Sequence, residues 1–228
     1  MSTLDLVPTY VKGIDRLLFG GFKLGELYFI YGEEKSGKTS LALTLCASAI
    51  RNGLRPLFLD CSIRLHPQRV LQILESWSLD PSKLSIRMIQ DFQDQEDFIL
   101  HLYNSEKLFD IIVLDDFTHQ HRIEMYGEVR SDLPIYKRLA MQVAMLSELT
   151  TRDKSLVVLI GQVHDLPEQE NRKAVAYRIL SHWARWIIKL TIGSKGFREL
   201  FLEKPEKTGP AYFIINESGV GEPSSKVE

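Results

Sequence analysis

Gly32-Glu33-Glu34-Lys35-Ser36-Gly37-Lys38-Thr39-Ser40 is the stretch that decides the fold. It fits the spacing G-x-x-x-x-G-K-[ST], with Gly32, Gly37, Lys38 and Thr39 in the fixed places. Glycine at both ends permits backbone geometry that a Cβ would obstruct. Successive N–H groups of such a loop, and the helix it opens, face an anion. In this pattern the loop from Gly32 through Ser36 and on to Ser40 cradles phosphate. Lys38 would reach the β- and γ-phosphates, and the Thr39 hydroxyl would ligate Mg²⁺. The flanks agree. Leu27-Tyr28-Phe29-Ile30-Tyr31 reads as a buried strand, and Leu41-Ala42-Leu43-Thr44-Leu45 opens a helix.

Outward from the loop, strand and helix patterns alternate. Gly13–Gly21 reads as a short helix closed by a glycine turn. Pro56–Asp60 is an apolar run without polar alternation, as expected of a parallel strand covered on both faces. Pro67 starts a helix that runs to about Ser76. Leu84–Ile89 reads as a strand and Gln95–Ser105 as a helix. Asp110–Asp116 is a further apolar strand, ending in two carboxylates. A loop around Gly127–Pro134 and a helix from about Ile135 to Thr151 lead to the strand Ser155–Gly161. This alternation predicts an α/β fold with a mostly parallel, doubly wound sheet. Residues 165–173 read as a polar loop, with a helix starting near Ile179. The strands Trp186–Ile192, Arg198–Lys204 and Ala211–Asn216 read as antiparallel. One core domain is expected over residues 1–220, with a frayed tail over 221–228.

The composition is that of an ordinary globular chain. It has 228 residues, 44% hydrophobic and 25% charged, with a formal charge of −2. No global basic field exists to attract nucleic acid, so any DNA binding rests on local patches. Cys46 and Cys61 match no metal or disulfide spacing and read as reduced thiols of a cytoplasmic protein. No secretory leader and no apolar run of about 20 residues is present, so no membrane partner is expected.

Several polar residues fall where chemistry would need them. Asp115 ends its strand on the side where ligands of parallel sheets gather, the place of an acid that fixes Mg²⁺. Asp116, its neighbour, is expected to point the other way. Gln162 follows the strand Ser155–Gly161 and could sense a γ-phosphate or orient water. Arg130 lies in the loop 124–134, and Arg172, Lys173 and Arg178 lie with Tyr177 in residues 165–178. Cations beside an aromatic could meet DNA phosphates and a base, although both loops also carry acids. His119 and His121 are a thin basis for a zinc site, and none is expected. Trp77, Trp183 and Trp186 read as core or interface residues.

In combination these segments resemble the RecA-type recombinases. Gly13-Ile14-Asp15-Arg16-Leu17-Leu18 resembles the segment ahead of that family's P-loop. Asp110–Thr118 followed by Arg122-Ile123-Glu124 resembles its second acidic motif, and Leu159-Ile160-Gly161-Gln162-Val163 resembles the segment carrying its glutamine. Ile179–Trp183 followed by Ile187–Leu190 looks like the archaeal core-only paralogues called RadB. The resemblance spans about Val11 to Val220, with only about ten residues ahead of the core. It implies an ATP-binding accessory protein of homologous recombination and DNA repair. Its partners would be DNA and a main recombinase or other repair protein, and it could form homo- or hetero-oligomers. It also implies that Lys38, Asp115 and Gln162 serve the chemistry, that Thr39 and Asp115 hold the metal, and that Arg69 packs near adenine. Residues 124–134 and 164–177 would be the two DNA-facing loops.

One departure stands out. Where the family places a water-activating glutamate after the second core strand, this chain has Asp60-Cys61-Ser62-Ile63-Arg64, with Ser62 at the glutamate's place. Serine is not such a base at neutral pH. Nucleotide binding should therefore survive while hydrolysis is weak. A competing reading is an ATP-gated scaffold that does not hydrolyse and acts through protein partners. A small-molecule kinase is disfavoured because no arginine-rich lid is visible.

Overall fold

The computed structural model describes residues 5–162 and 171–223. In chain order the elements are β1 (Leu6–Val7), α1 (Lys12–Leu17), β2 (Phe22–Lys23), β3 (Leu27–Gly32), α2 (Lys38–Arg51), β4 (Pro56–Asp60), α3 (Pro67–Ser76), β5 (Ser85–Met88), α4 (Phe92–Asn104), β6 (Ile111–Asp115), α5 (His119–Glu124), α6 (Val129–Asp153), β7 (Leu156–Gly161), α7 (Asn171–Trp183), β8 (Trp186–Ile192), β9 (Arg198–Lys204), β10 (Thr208–Asn216) and β11 (Gly219–Gly221). A nine-stranded sheet runs in the order β11-β10-β9-β8-β3-β7-β6-β4-β5. From β8 to β5 the neighbouring strands are parallel. The β8–β9, β9–β10 and β10–β11 pairs are antiparallel.

The central strands are apolar along their length because both faces are covered. Tyr28, Ile30, Ile111, Val113, Leu156, Val158 and Ile160 face the core shared with α2 and α3. The alternate residues Leu27, Phe29, Ile112, Leu114, Val157 and Leu159 face the core shared with α4, α6 and α7. A period of two split between two cores is what erases polar alternation from the sequence. Each such Leu or Ile contributes about 1.5–3 kcal/mol on burial. The helix α2 is buried along most of its length, from Leu41 to Ile50. Cys46 and Cys61 are buried and free.

Topology sets the site. The chain leaves β3 through the P-loop and returns in β4, three positions along the sheet with β7 and β6 between. The C-terminal ends of β3, β4, β6 and β7 therefore converge on one crevice, as expected where strand order changes direction. Asp60 and Asp115 end adjacent strands in register.

Four expectations from the sequence are corrected. The stretch Gly127–Pro134 is helical from Val129 onward, so α6 contains Pro134. The proline removes one helix hydrogen bond. The buried face of Ile135, Leu139, Val143, Leu146 and Leu149 is enough to hold the helix. The Asp132 carboxylate also accepts the N–H groups of Tyr126 (2.8 Å) and Gly127 (3.2 Å), fixing the entry turn. Helix α7 already includes residues 171–173, which read as loop; residues 163–170 lie outside the described part of the structure. Helix α4 begins at Phe92 rather than Gln95, because Asp91 caps it by accepting the Asp94 N–H at 2.8 Å. Of the expected tail, residues 221–223 are described and Gly221 belongs to β11, whereas 224–228 lie outside.

Candidate nucleotide-binding site

The P-loop is shaped by its glycines. At Gly32 an added Cβ would lie 2.1 Å from the Leu190 carbonyl oxygen of the neighbouring strand β8. Gly37 is the N-cap of α2 in the left-handed region (φ 99°), and no side chain caps that helix end. Lys35 is also left-handed (φ 63°). The alternation turns amides of the loop and of the first helical turn inward, a concavity suited to an anion. The Lys38 side chain folds back into it, with Nζ donating to the carbonyls of Gly32 (2.8 Å) and Glu33 (2.6 Å). Burial pushes the Lys38 pKa down; Asp115, Asp116, Glu34 and Glu33 oppose that. An incoming phosphate would offer this ammonium a charged acceptor in place of two carbonyls.

Across from Lys38, the Thr39 hydroxyl donates to Asp115 Oδ2 at 2.5 Å. Burial raises the Asp115 carboxyl to about 7, Asp116 and Asp60 add to the rise, and the Thr39 hydrogen bond and Lys38 counter it. A hydroxyl and a carboxylate side by side, the latter short of positive charge, form an oxygen donor pair of the kind that suits Mg²⁺. Asp116 is buried and accepts from Arg122 at 2.8 Å and from the Thr118 hydroxyl at 2.9 Å. Asp60 is buried as well, and its carboxylate accepts from the N–H groups of Ser62 (3.2 Å), Arg64 (3.3 Å) and Leu65 (2.9 Å) and from the Ser62 hydroxyl (3.3 Å). So committed, Asp60 is not available to accept a proton from water. The cleft, about 560 Å³, is lined by Glu34, Lys38, Thr39, Asp115 and Gln162 together with Ser62 and Arg64.

The profile of the Rad51 family matches residues 2–222. The chain belongs to the Rad51 family. It is 32% identical over 225 residues to the DNA repair and recombination protein RadB of Thermococcus onnurineus, covering 94% of this chain and 96% of that one. The RadB protein of Thermococcus kodakarensis is also 32% identical, with 94% and 98% covered. A crystal structure of the RadB recombinase superposes with a TM-score of 0.78 at 27% identity, covering 96% of this chain and all of the other.

In this Rad51-family core the P-loop residues, Asp115 and Gln162 share one cleft. Within the loop, Glu33 turns aside to accept the Ile192 N–H at 3.1 Å, and Ser36 is fully buried. Arg69 does not line the cleft. Its guanidinium donates to the Asn216 carbonyl (2.6 Å) and to Gln72 (2.6 Å), which ties α3 to the β10–β11 turn. Arg130 is exposed near the start of α6, and Arg178 is exposed on α7. Arg172 and Lys173 fall in the first turn of α7. Helix α6 ends just ahead of the start of β7, and α7 just ahead of the start of β8, so the first turns of both helices lie toward the end of the sheet that carries the cleft. Tyr177, grouped with those cations in the sequence, instead packs on Phe29 and Tyr31. His121 is buried against Phe92 and Tyr136. Two arginines of the cleft were missed: Arg64 and Arg198. Arg198 stands opposite Ile192 and Phe213, a register that no local pattern announces.

Proposed function

We propose that this RadB-like member of the Rad51 family binds ATP with Mg²⁺ in the cleft and hydrolyses it slowly while serving DNA repair and recombination in the cytoplasm. Members of the family bind ATP, generally with Mg²⁺. The observation that carries the proposal is the uncapped α2 N-terminus beside Lys38, with the Thr39–Asp115 pair next to it. Lys38 and the P-loop amides would hold the β- and γ-phosphates. Thr39 and Asp115 would hold the metal, which supplies charge neutralisation and orientation of the phosphates. Gln162 would face the terminal phosphate from the end of β7. Among the described residues, the buried carboxylates of the cleft are otherwise engaged: Asp115 pairs with Thr39, Asp60 is bound up in its own loop, and Asp116 faces Arg122, while Ser62 stands at the usual glutamate's place. Bound nucleotide then sets a conformation or an assembly rather than driving rapid turnover. Calorimetry with Mg²⁺ and ATP tests this directly: the natural chain binds, and Lys38→Ala does not.

DNA and a main recombinase or other repair protein are the proposed partners. Arg130, Arg172, Lys173 and Arg178 would provide the phosphate contacts, giving binding that weakens with salt. The reading in which the chain acts only through protein partners has one feature in its favour. The corner between α5 and α6 exposes Ile123, Tyr126 and Leu133, and two of the cations near it, Arg122 and Arg138, are already paired with acids. Filter binding at low salt, with and without ATP, separates the two. Retained DNA that is lost on Arg172→Ala with Lys173→Ala supports the first; no retention supports the second.

A further inference from the structure

The two arginines of the cleft are used differently. Arg198 donates from Nε to the Lys35 carbonyl (2.9 Å) and from its terminal nitrogen to the carbonyls of Gly196 (2.9 Å) and Phe197 (3.2 Å). It staples the P-loop to β9 through Nε and one terminal nitrogen. Among the described residues, Arg64 has one long contact. Its guanidinium lies 3.9 Å from the Glu34 carboxylate, across the mouth of the cleft, with 63% and 59% of the two side chains exposed. That is beyond direct hydrogen-bond distance, and an ion pair so exposed holds its partners weakly.

The backbone that presents Arg64 is, by contrast, firmly set. The Asp60 carboxylate gathers the amides of Ser62, Arg64 and Leu65, so the turn closes on the end of β4. Inside that turn Ile63 is held at φ 54°. A β-branched residue in the left-handed region costs about 1–2 kcal/mol and persists only where its surroundings dictate it. Ile63 is half exposed, so packing does not explain it. The outcome of the turn is that Arg64, two residues after Ser62, enters the cleft on the side of the β4 and β6 ends, beside Asp115.

Charge gives Arg64 something to bind. Lining the cleft, Lys35, Lys38, Arg64 and Arg198 are balanced by Glu34, Asp60, Asp115 and Asp116. A polyphosphate entering this neutral cleft meets three carboxylates at its floor. Arg198 is tethered to three backbone carbonyls, so of the two arginines Arg64 is the freer to change partner. A phosphate oxygen pair would offer it a bidentate, charge-assisted contact in place of a distant carboxylate.

We propose that Arg64 is a terminal-phosphate sensor: on binding of a nucleoside triphosphate it leaves Glu34 for the γ-phosphate, so that the chain tells triphosphate from diphosphate by affinity rather than by turnover. This rests on the reading of the cleft as an ATP site. The test is calorimetric titration of the full chain with Mg²⁺ and either ADP or a non-hydrolysable ATP analogue, for the natural protein, Arg64→Ala and Arg64→Lys. Because Arg64 is exposed and its backbone contacts do not involve its side chain, both variants are expected to fold. Arg64→Ala should lose about tenfold in affinity for the triphosphate analogue, the scale of one charged hydrogen-bonding contact, and less than about twofold for ADP. Arg64→Lys, keeping the charge without the fork, should lie between. Equal losses for both nucleotides, or no loss, overturn the proposal while leaving the ATP site standing. Natural protein that binds neither nucleotide overturns the site itself and this proposal with it.

Discussion

His121 should set part of the acid limit of this protein's stability. The ring is 1% exposed, lies edge-on to Phe92 and is tilted against Tyr136, and neither ring nitrogen has a hydrogen-bond partner. Burial is the main reason its pKa falls from 6.5 to about 4; Arg122 adds to the fall and Asp132 opposes it. With the folded pKa below the unfolded one, the neutral ring carries no penalty above pH 6.5. Stability is then lost as pH falls from 6.5 toward 4, because the unfolded chain takes up the proton first. At about 1.4 kcal/mol per tenfold in proton affinity, the full effect is about 3 kcal/mol, of which about 2 is expressed by pH 4.5. Replacing His121 with leucine removes two unpartnered nitrogens and deprives no donor or acceptor of its partner. At pH 7.5 the variant should therefore stay within about 1 kcal/mol of the natural protein. Between pH 7.5 and 4.5 it should lose about 2 kcal/mol less. Urea unfolding at the two pH values measures both quantities, and carboxylates common to the two proteins cancel in the comparison. Parallel losses on acidification would refute the assignment of a neutral, buried imidazole.

Two substitutions probe the cleft wall. Ser62→Glu should raise phosphate release from Mg-ATP, since it returns a carboxylate to the cleft wall where Ser62 now binds Asp60; unchanged turnover would show that the missing base is not what limits hydrolysis. Gly32→Ala should destabilise the chain by about 3 kcal/mol or more, as its Cβ would overlap the Leu190 carbonyl oxygen at 2.1 Å. A melting temperature within a degree of the natural protein would mean that β3 and β8 approach less closely than described.

Much of this arrangement was legible in the chain because the strongest signals are local. The P-loop spacing, the apolar runs of β3, β4, β6 and β7, and Pro67 at the start of α3 all act within a few residues of themselves. What escaped was set at a distance. Pro134 reads as a helix breaker, yet α6 passes through it because a long buried face outweighs one lost hydrogen bond. Arg69, which the resemblance places near adenine, is held by carbonyls of the β10–β11 turn, some 150 positions away. Arg198 reaches the P-loop only through the pairing of β9 with β8 and β10. Arg64 could have been suspected from its place beside the missing glutamate. The left-handed turn at Ile63, held by Asp60, is what brings it into the cleft.

The central claim is that the loop from Gly32 to Ser40 holds a nucleotide through Lys38. Titration of Mg-ATP into the natural protein and into Lys38→Ala, followed by calorimetry, tests it most directly. Saturable binding by the natural protein and a loss of about thirtyfold or more in the variant is the predicted result, as expected for a buried ammonium on phosphate. Equal affinity in the two proteins, or no binding by either, would contradict it.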